Sequence, residues 1–155
     1  MKKFRFSLEA VQTIRERAAH EALENYARKL RARGAAEAAV AAAEAALAEH
    51  LAEWRRAMGK GFSPREMLQR EHTRAMLEAR RNEKLKELRE AVAATTQAQA
   101  AFQLARQKSE VVERFHERQR HEFNLAVLKE EQHLLDELAL TRRQPALFEK
   151  GFAHA

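Results

Sequence analysis

One interruption organises the chain. The helical stretches 7–58 and 64–143 contain no internal proline, and only Gly59-Lys-Gly-Phe-Ser63 separates them. Ser63-Pro-Arg-Glu66 reads as a capping box with proline in the first helical position, and Gly59 or Gly61 can supply a left-handed turn residue before it. The expected fold is therefore all-α: a two-helix antiparallel coiled-coil hairpin with a longer, overhanging second helix. Composition agrees. Charged residues make up 34%, aromatics only 6%, and the chain has four Gly and two Pro, a balance that favours long helices over a compact globule.

The predicted boundaries follow from local chemistry. Ser7 is placed to cap helix 1, with Glu9 at the positive end of its dipole. Gln144-Pro145 removes a backbone donor, so helix 2 is expected to stop near Arg143, leaving 146–155 as a flexible tail after a hairpin domain of 1–145. In helix 1 the seam is read as Val40, Ala43, Leu47, Leu51, Trp54 and Met58; in helix 2 as Leu85, Leu88, Val92, Thr95, Gln99 and Phe102, resuming at Leu125, Leu128, Gln132, Leu135 and Leu138. At about 1.5 Å per residue the helices would measure about 78 and about 120 Å. Pairing centred on Gly61 sets Leu8 opposite Arg114 and leaves 115–143 without an intramolecular partner. An apolar stripe on an unpaired helix marks a binding surface or an oligomer seam.

Charge is concentrated at two places. Residues 55–90 carry eleven Lys and Arg against six Glu, and residues 1–17 carry five bases against two acids. Within helices, Glu24–Arg28, Glu66–Arg70 and Glu110–Arg114 have the spacing of ion pairs. No zinc finger, RNA-recognition aromatic set or basic zipper accompanies the bases, so nucleic-acid binding is an alternative and not the leading reading. The basic ends also lack a long lipid-facing stripe. There is no cysteine, no signal-peptide pattern and no apolar run long enough to span a bilayer, which points to a cytoplasmic protein with no transmembrane segment.

No catalytic constellation is present, and an enzyme is not expected. Glu113-Arg-Phe-His116 and Glu130-Glu-Gln-His133 have the i, i+3 spacing of di-iron helices, but both lie on one helix, so no metal or cofactor is assigned. His116 and His121 beside Arg118 and Arg120 read as a solvated face. Trp54, Phe62, Met67 and Met76 flank the turn, where Trp54 would plug the end of the seam and Phe62 is available for docking.

The two ends of the chain carry a resemblance. Phe4-Arg-Phe-Ser-Leu-Glu-Ala-Val11 with Ile14-Arg-Glu-Arg17 resembles the opening of the flagellar FliJ family, and Glu110-Val-Val-Glu-Arg114 with Asp136-Glu-Leu-Ala139 and Arg142-Arg143 is similar to its closing pattern. The resemblance implies a non-enzymatic stalk of flagellar protein export, at the cytoplasmic face of the flagellar base. Its implied partners are the hexameric type III export ATPase, the cytoplasmic domain of the export gate, and export chaperones. By that resemblance Phe4, Phe6, Leu8, Val11, Arg15, Leu135, Asp136, Ala139 and Arg142 would contact the ATPase ring. Trp54, Phe62, Met67 and Met76 would face the gate, although Glu71, His72 and Thr73 stand where several relatives have aromatics. The alternatives are a virulence-type secretion stalk and a self-associating structural coiled coil.

Overall fold

A computed structural model describes residues 3–149, with side chains through Thr141. Two α-helices, α1 (Glu9–Met58) and α2 (Pro64–Glu149), pack against each other as an antiparallel hairpin, with no strand among the described residues. Contacts group the chain into two compact units. One is the hairpin proper, 15–107; the other joins 1–14 to 108–155.

The turn follows from its residues. Lys60 N–H donates to Ala57 O at 3.0 Å, closing α1 with a tight last turn. Gly61 then takes φ +80°, a value that only glycine adopts without strain. The capping box that opens α2 is complete: Ser63 N–H and Oγ both donate to Glu66 Oε2 at 2.9 Å, and Glu66 N–H donates back to Ser63 Oγ at 3.3 Å. The bond from the Ser63 amide, then that from its hydroxyl, holds the Glu66 carboxyl below its ordinary range.

Three boundary and pairing expectations are corrected. Leu8, not Ser7, is the cap position of α1, since Gln12 N–H donates to Leu8 O and the helix begins at Glu9. At the other end the backbone stays helical past Pro145 to Glu149. Proline's fixed φ suits a helix, and the donor it lacks would have served Thr141 O, on an exposed residue where water can substitute. The remaining expected tail, 150–155, lies outside the described residues. Glu24 pairs with His20 instead of Arg28, whose guanidinium reaches Asn25, and Glu66 serves the cap.

In the hairpin unit the inward positions of α2 alternate steps of four and three: Arg70, Arg74, Leu77, Arg81, Lys84, Leu88, Ala91, Thr95, Ala98, Phe102 and Ala105 are all buried or half-buried. This 3.5-residue repeat is that of a coiled coil. The core is thin. Its buried apolar members are Val40, Ala43 and Leu47 on α1 and Ala98 on α2, and Thr95 is buried among them. Val92, Gln99 and Met58, expected in the seam, are exposed, and Ala91, Ala98 and Ala57 face inward instead. Small residues let the helix axes approach, so the seam turns on alanine where a reading weighted toward bulk selects its larger neighbour.

Four cations, Arg70, Arg74, Arg81 and Lys84, occupy inward positions of this row. Lys84 and Arg80 lie across from Ala39, Ala42, Ala43 and Ala46. Long aliphatic stems cover the short alanines while the charged ends reach outward, where Arg74 meets Glu71 and Glu78, and Lys84 meets Glu87. Directional contacts add register. Thr95 Oγ, which donates to Ala91 O at 2.7 Å, also lies 3.2 Å from Lys29 O on the other helix, and Tyr26 stacks on Phe102. His50 Nε2 donates to Arg70 O at 3.0 Å, which requires its proton on that nitrogen.

Two outcomes follow from this packing. Ala98→Leu should cost about 1–3 kcal/mol in urea unfolding followed by circular dichroism, whereas Gln99→Leu should stay within about 0.5 kcal/mol. Because the Glu66 carboxyl is held below its ordinary value of 4.5, its contribution is complete above that pH. It disappears as pH falls through the lower folded-state value. The melting-temperature difference between the native chain and Glu66→Ala should therefore close on acidification.

Candidate functional site

The second unit begins with a short non-helical strap ahead of α1. Phe4 packs on His116 and Phe123 with ring centroids 5.6 and 5.5 Å away. Phe6 meets His116 edge-on at 4.6 Å and Phe115 at 6.2 Å. All five rings are half-buried. Such aromatic pairs contribute about 0.5–1.5 kcal/mol each beyond their buried area.

The strap corrects the expectation that 115–143 has no partner within the chain. Extended backbone advances about 3.3 Å per residue against about 1.5 Å for a helix, so a few non-helical residues cover a longer stretch of α2 than a helical pairing predicts. Phe115, His116 and Phe123 are thereby covered. His116 is also not part of an open solvated face, since its ring is engaged by Phe4 and Phe6. The described residues contain no group of three or more His, Cys, Asp or Glu able to hold a metal ion.

Beyond Val127 the leucines of α2 are exposed among the described residues. A groove of about 600 Å³ opens there, lined by Phe123, Asn124, Val127, Leu128, Leu134 and the carboxylate-bearing Glu130 and Glu131. Leu128, Leu134, Leu135, Leu138 and Leu140 are all 59–67% exposed. α2 therefore runs out from beneath the strap with these large apolar side chains exposed. Residues 124–141 hold four acids against Lys129 alone, a net charge of −3. An apolar stripe edged with carboxylates suits a partner surface that is apolar and basic.

The residues expected at the ATPase ring are distributed unevenly around this face. Phe4 and Phe6 turn their rings onto α2, and Leu8 and Val11 stand partly exposed at the start of α1. Leu135, Asp136 and Ala139 are exposed on α2. Arg15 is exposed but belongs to the hairpin unit, and the Arg142 side chain lies outside the described residues. Val127, Leu134 and Leu140 were missing from that set; extending the seam's alternation past Phe123 reaches Leu140 but passes through Ala126 and His133, one residue short of Val127 and Leu134. Of the residues expected at the gate, Trp54 is half-buried beside His50, and Phe62 is half-buried beneath the Arg70 guanidinium, 5.3 Å from the ring centre. Met67 and Met76 are exposed.

Fold and surface together define a coiled-coil hairpin whose distinctive feature is an uncovered apolar helix face. Residues 4–145 match the family described as Flagellar FliJ protein, and the chain belongs to that family. This makes it a protein of the flagellar export system. No curated protein and no solved structure matches the chain. No helix among the described residues is long and apolar enough to cross a membrane.

If the rings fix the strap, Phe4→Ala with Phe6→Ala should release it. Loss of about 1.5 kcal/mol or more of aromatic contact would raise the open population at least about tenfold. Limited trypsin digestion at Arg5 should accelerate accordingly, with helicity nearly unchanged.

Proposed function

We propose that this protein is a non-enzymatic coiled-coil stalk of flagellar export. It binds the hexameric type III export ATPase through the face that runs from Val127 to Leu140 and couples that ring to the membrane export gate. The observation that carries this reading is the uncovered leucine face itself. Six large apolar side chains between 125 and 140 are exposed on a helix whose preceding turns are covered by the strap and by α1.

In this reading ATP hydrolysis belongs to the ring. The stalk supplies an asymmetric contact, apolar on one side and acidic at its edges, which each ring subunit meets differently as its nucleotide state changes. Leu135, Asp136 and Ala139 contact the ring directly, Leu8 and Val11 add to the surface, and Phe4 and Phe6 act by holding the strap on α2. At the other end, Met67 and Met76 are the exposed candidates for the gate's cytoplasmic domain, with Trp54 and Phe62 supporting the turn behind them. The protein works at the cytoplasmic face of the flagellar base and hands export chaperones to the same machinery. The rival reading, self-association through the leucine face, makes the same side chains a seam between two copies.

A pull-down with the export ATPase, read together with its turnover, separates these readings. The native chain should bind and change the ATPase rate. Leu135→Asp with Leu138→Asp should weaken association at least about hundredfold, since burying each leucine contributes about 1.5 kcal/mol or more, and circular dichroism should remain that of the native chain. No binding, with a concentration-dependent dimer through residues 125–140, would favour self-association.

A further inference from the structure

The hairpin tip combines exposed apolar side chains with an excess of positive charge. Met58 is 62% exposed, Met67 58% and Leu68 74%, the last being the highest value among the large apolar side chains described. Met58 ends α1, while Met67 and Leu68 lie in the first turns of α2. All three therefore sit within about 8 Å of the turn along their helix axes. Leu68 precedes the seam residue Arg70 by two positions, or about 200° around the helix, so it faces away from α1.

Around these side chains, residues 55–70 carry five bases, Arg55, Arg56, Lys60, Arg65 and Arg70, against Glu66 alone, a net charge of +4. The first four bases are exposed. Glu66 is engaged by Ser63 in the capping box and attracted by Arg70, and neighbouring Glu71 pairs with Arg74. Arg70 keeps its charge at the turn by lying over Phe62.

We propose that this tip docks on an anionic phospholipid surface, with Met58, Met67 and Leu68 entering the headgroup layer and Arg55, Arg56, Lys60 and Arg65 meeting lipid phosphates. Interfacial segments bury their apolar side chains about 5–10 Å deep, which matches the reach of these three from the turn. A protein partner would need a cavity shaped to a convex tip. A bilayer needs none, and flexible methionine side chains adapt to a soft surface. The inference does not depend on the ATPase reading; it gives Met67 to lipid and leaves Met76 as the gate candidate.

Vesicle sedimentation with the full chain tests it, using phosphatidylcholine alone or mixed with about one-third phosphatidylglycerol. The chain should sediment only with the mixed vesicles, and less as salt increases. Arg55→Ala with Arg56→Ala should weaken binding about twenty-five-fold, at about fivefold per base. Met67→Ser with Leu68→Ser should also weaken it at unchanged charge and unchanged helicity, whereas Lys129→Ala should have no effect. Failure to sediment with the mixed vesicles, or full binding by the Met67→Ser, Leu68→Ser variant, would overturn the proposal. Retention on immobilised polyglutamate without vesicle binding would overturn it too, and assign the tip to an acidic protein.

Discussion

A single row of inward positions on α2, stepping four and three residues from Arg70 to Phe123, determines what the rest of the chain can do. In the hairpin unit α1 lies against that row. In the other unit Phe4 and Phe6 take over the covering role on His116, Phe115 and Phe123. Past Phe123, Val127 is half-buried, and the leucines from Leu128 to Leu140 are exposed among the described residues. Function in such a protein is set by where intramolecular cover stops, because the same side chains that would zip a hairpin become a docking surface once nothing lies on them.

The seam itself is built with little apolar area. Alanine on α1 faces arginine and lysine stems on α2, and the buried centre is confined to Val40, Ala43, Leu47, Thr95 and Ala98. Position is fixed by a few directional contacts: the Thr95 hydroxyl beside the Lys29 carbonyl, the His50 bond to the Arg70 carbonyl, and the Tyr26–Phe102 stack. Small side chains allow close approach of the axes, while the ends of Arg74 and Lys84 pair with Glu71, Glu78 and Glu87. A hairpin of this kind holds its register without a large core.

Much of this is legible in the amino-acid sequence. Two glycines and a serine-proline pair announce the turn, and local chemistry is enough there because a capping box is satisfied by its own four residues. The seam was half legible. Leu88, Thr95 and Phe102 were found, but Val92 and Gln99 displaced Ala91 and Ala98, since side-chain bulk does not reveal how closely two axes approach. The strap was not legible as a strap: helical pairing puts Leu8 opposite Arg114 and stops there, and only the non-helical course of residues 3–6 brings Phe4 to Phe123. The same error left 115–123 counted as open surface. It did not affect Leu135 and Leu138, which lie beyond the strap's reach.

The central claim is that the leucine face beyond the strap is where the export ATPase binds. Amide hydrogen exchange across the full chain, alone and with the hexameric ATPase, tests it most directly. The account predicts slowed exchange over residues 125–140 on adding the ATPase, with residues 70–107 unchanged. Protection confined to the hairpin unit, with exchange at 125–140 unaltered, would contradict it.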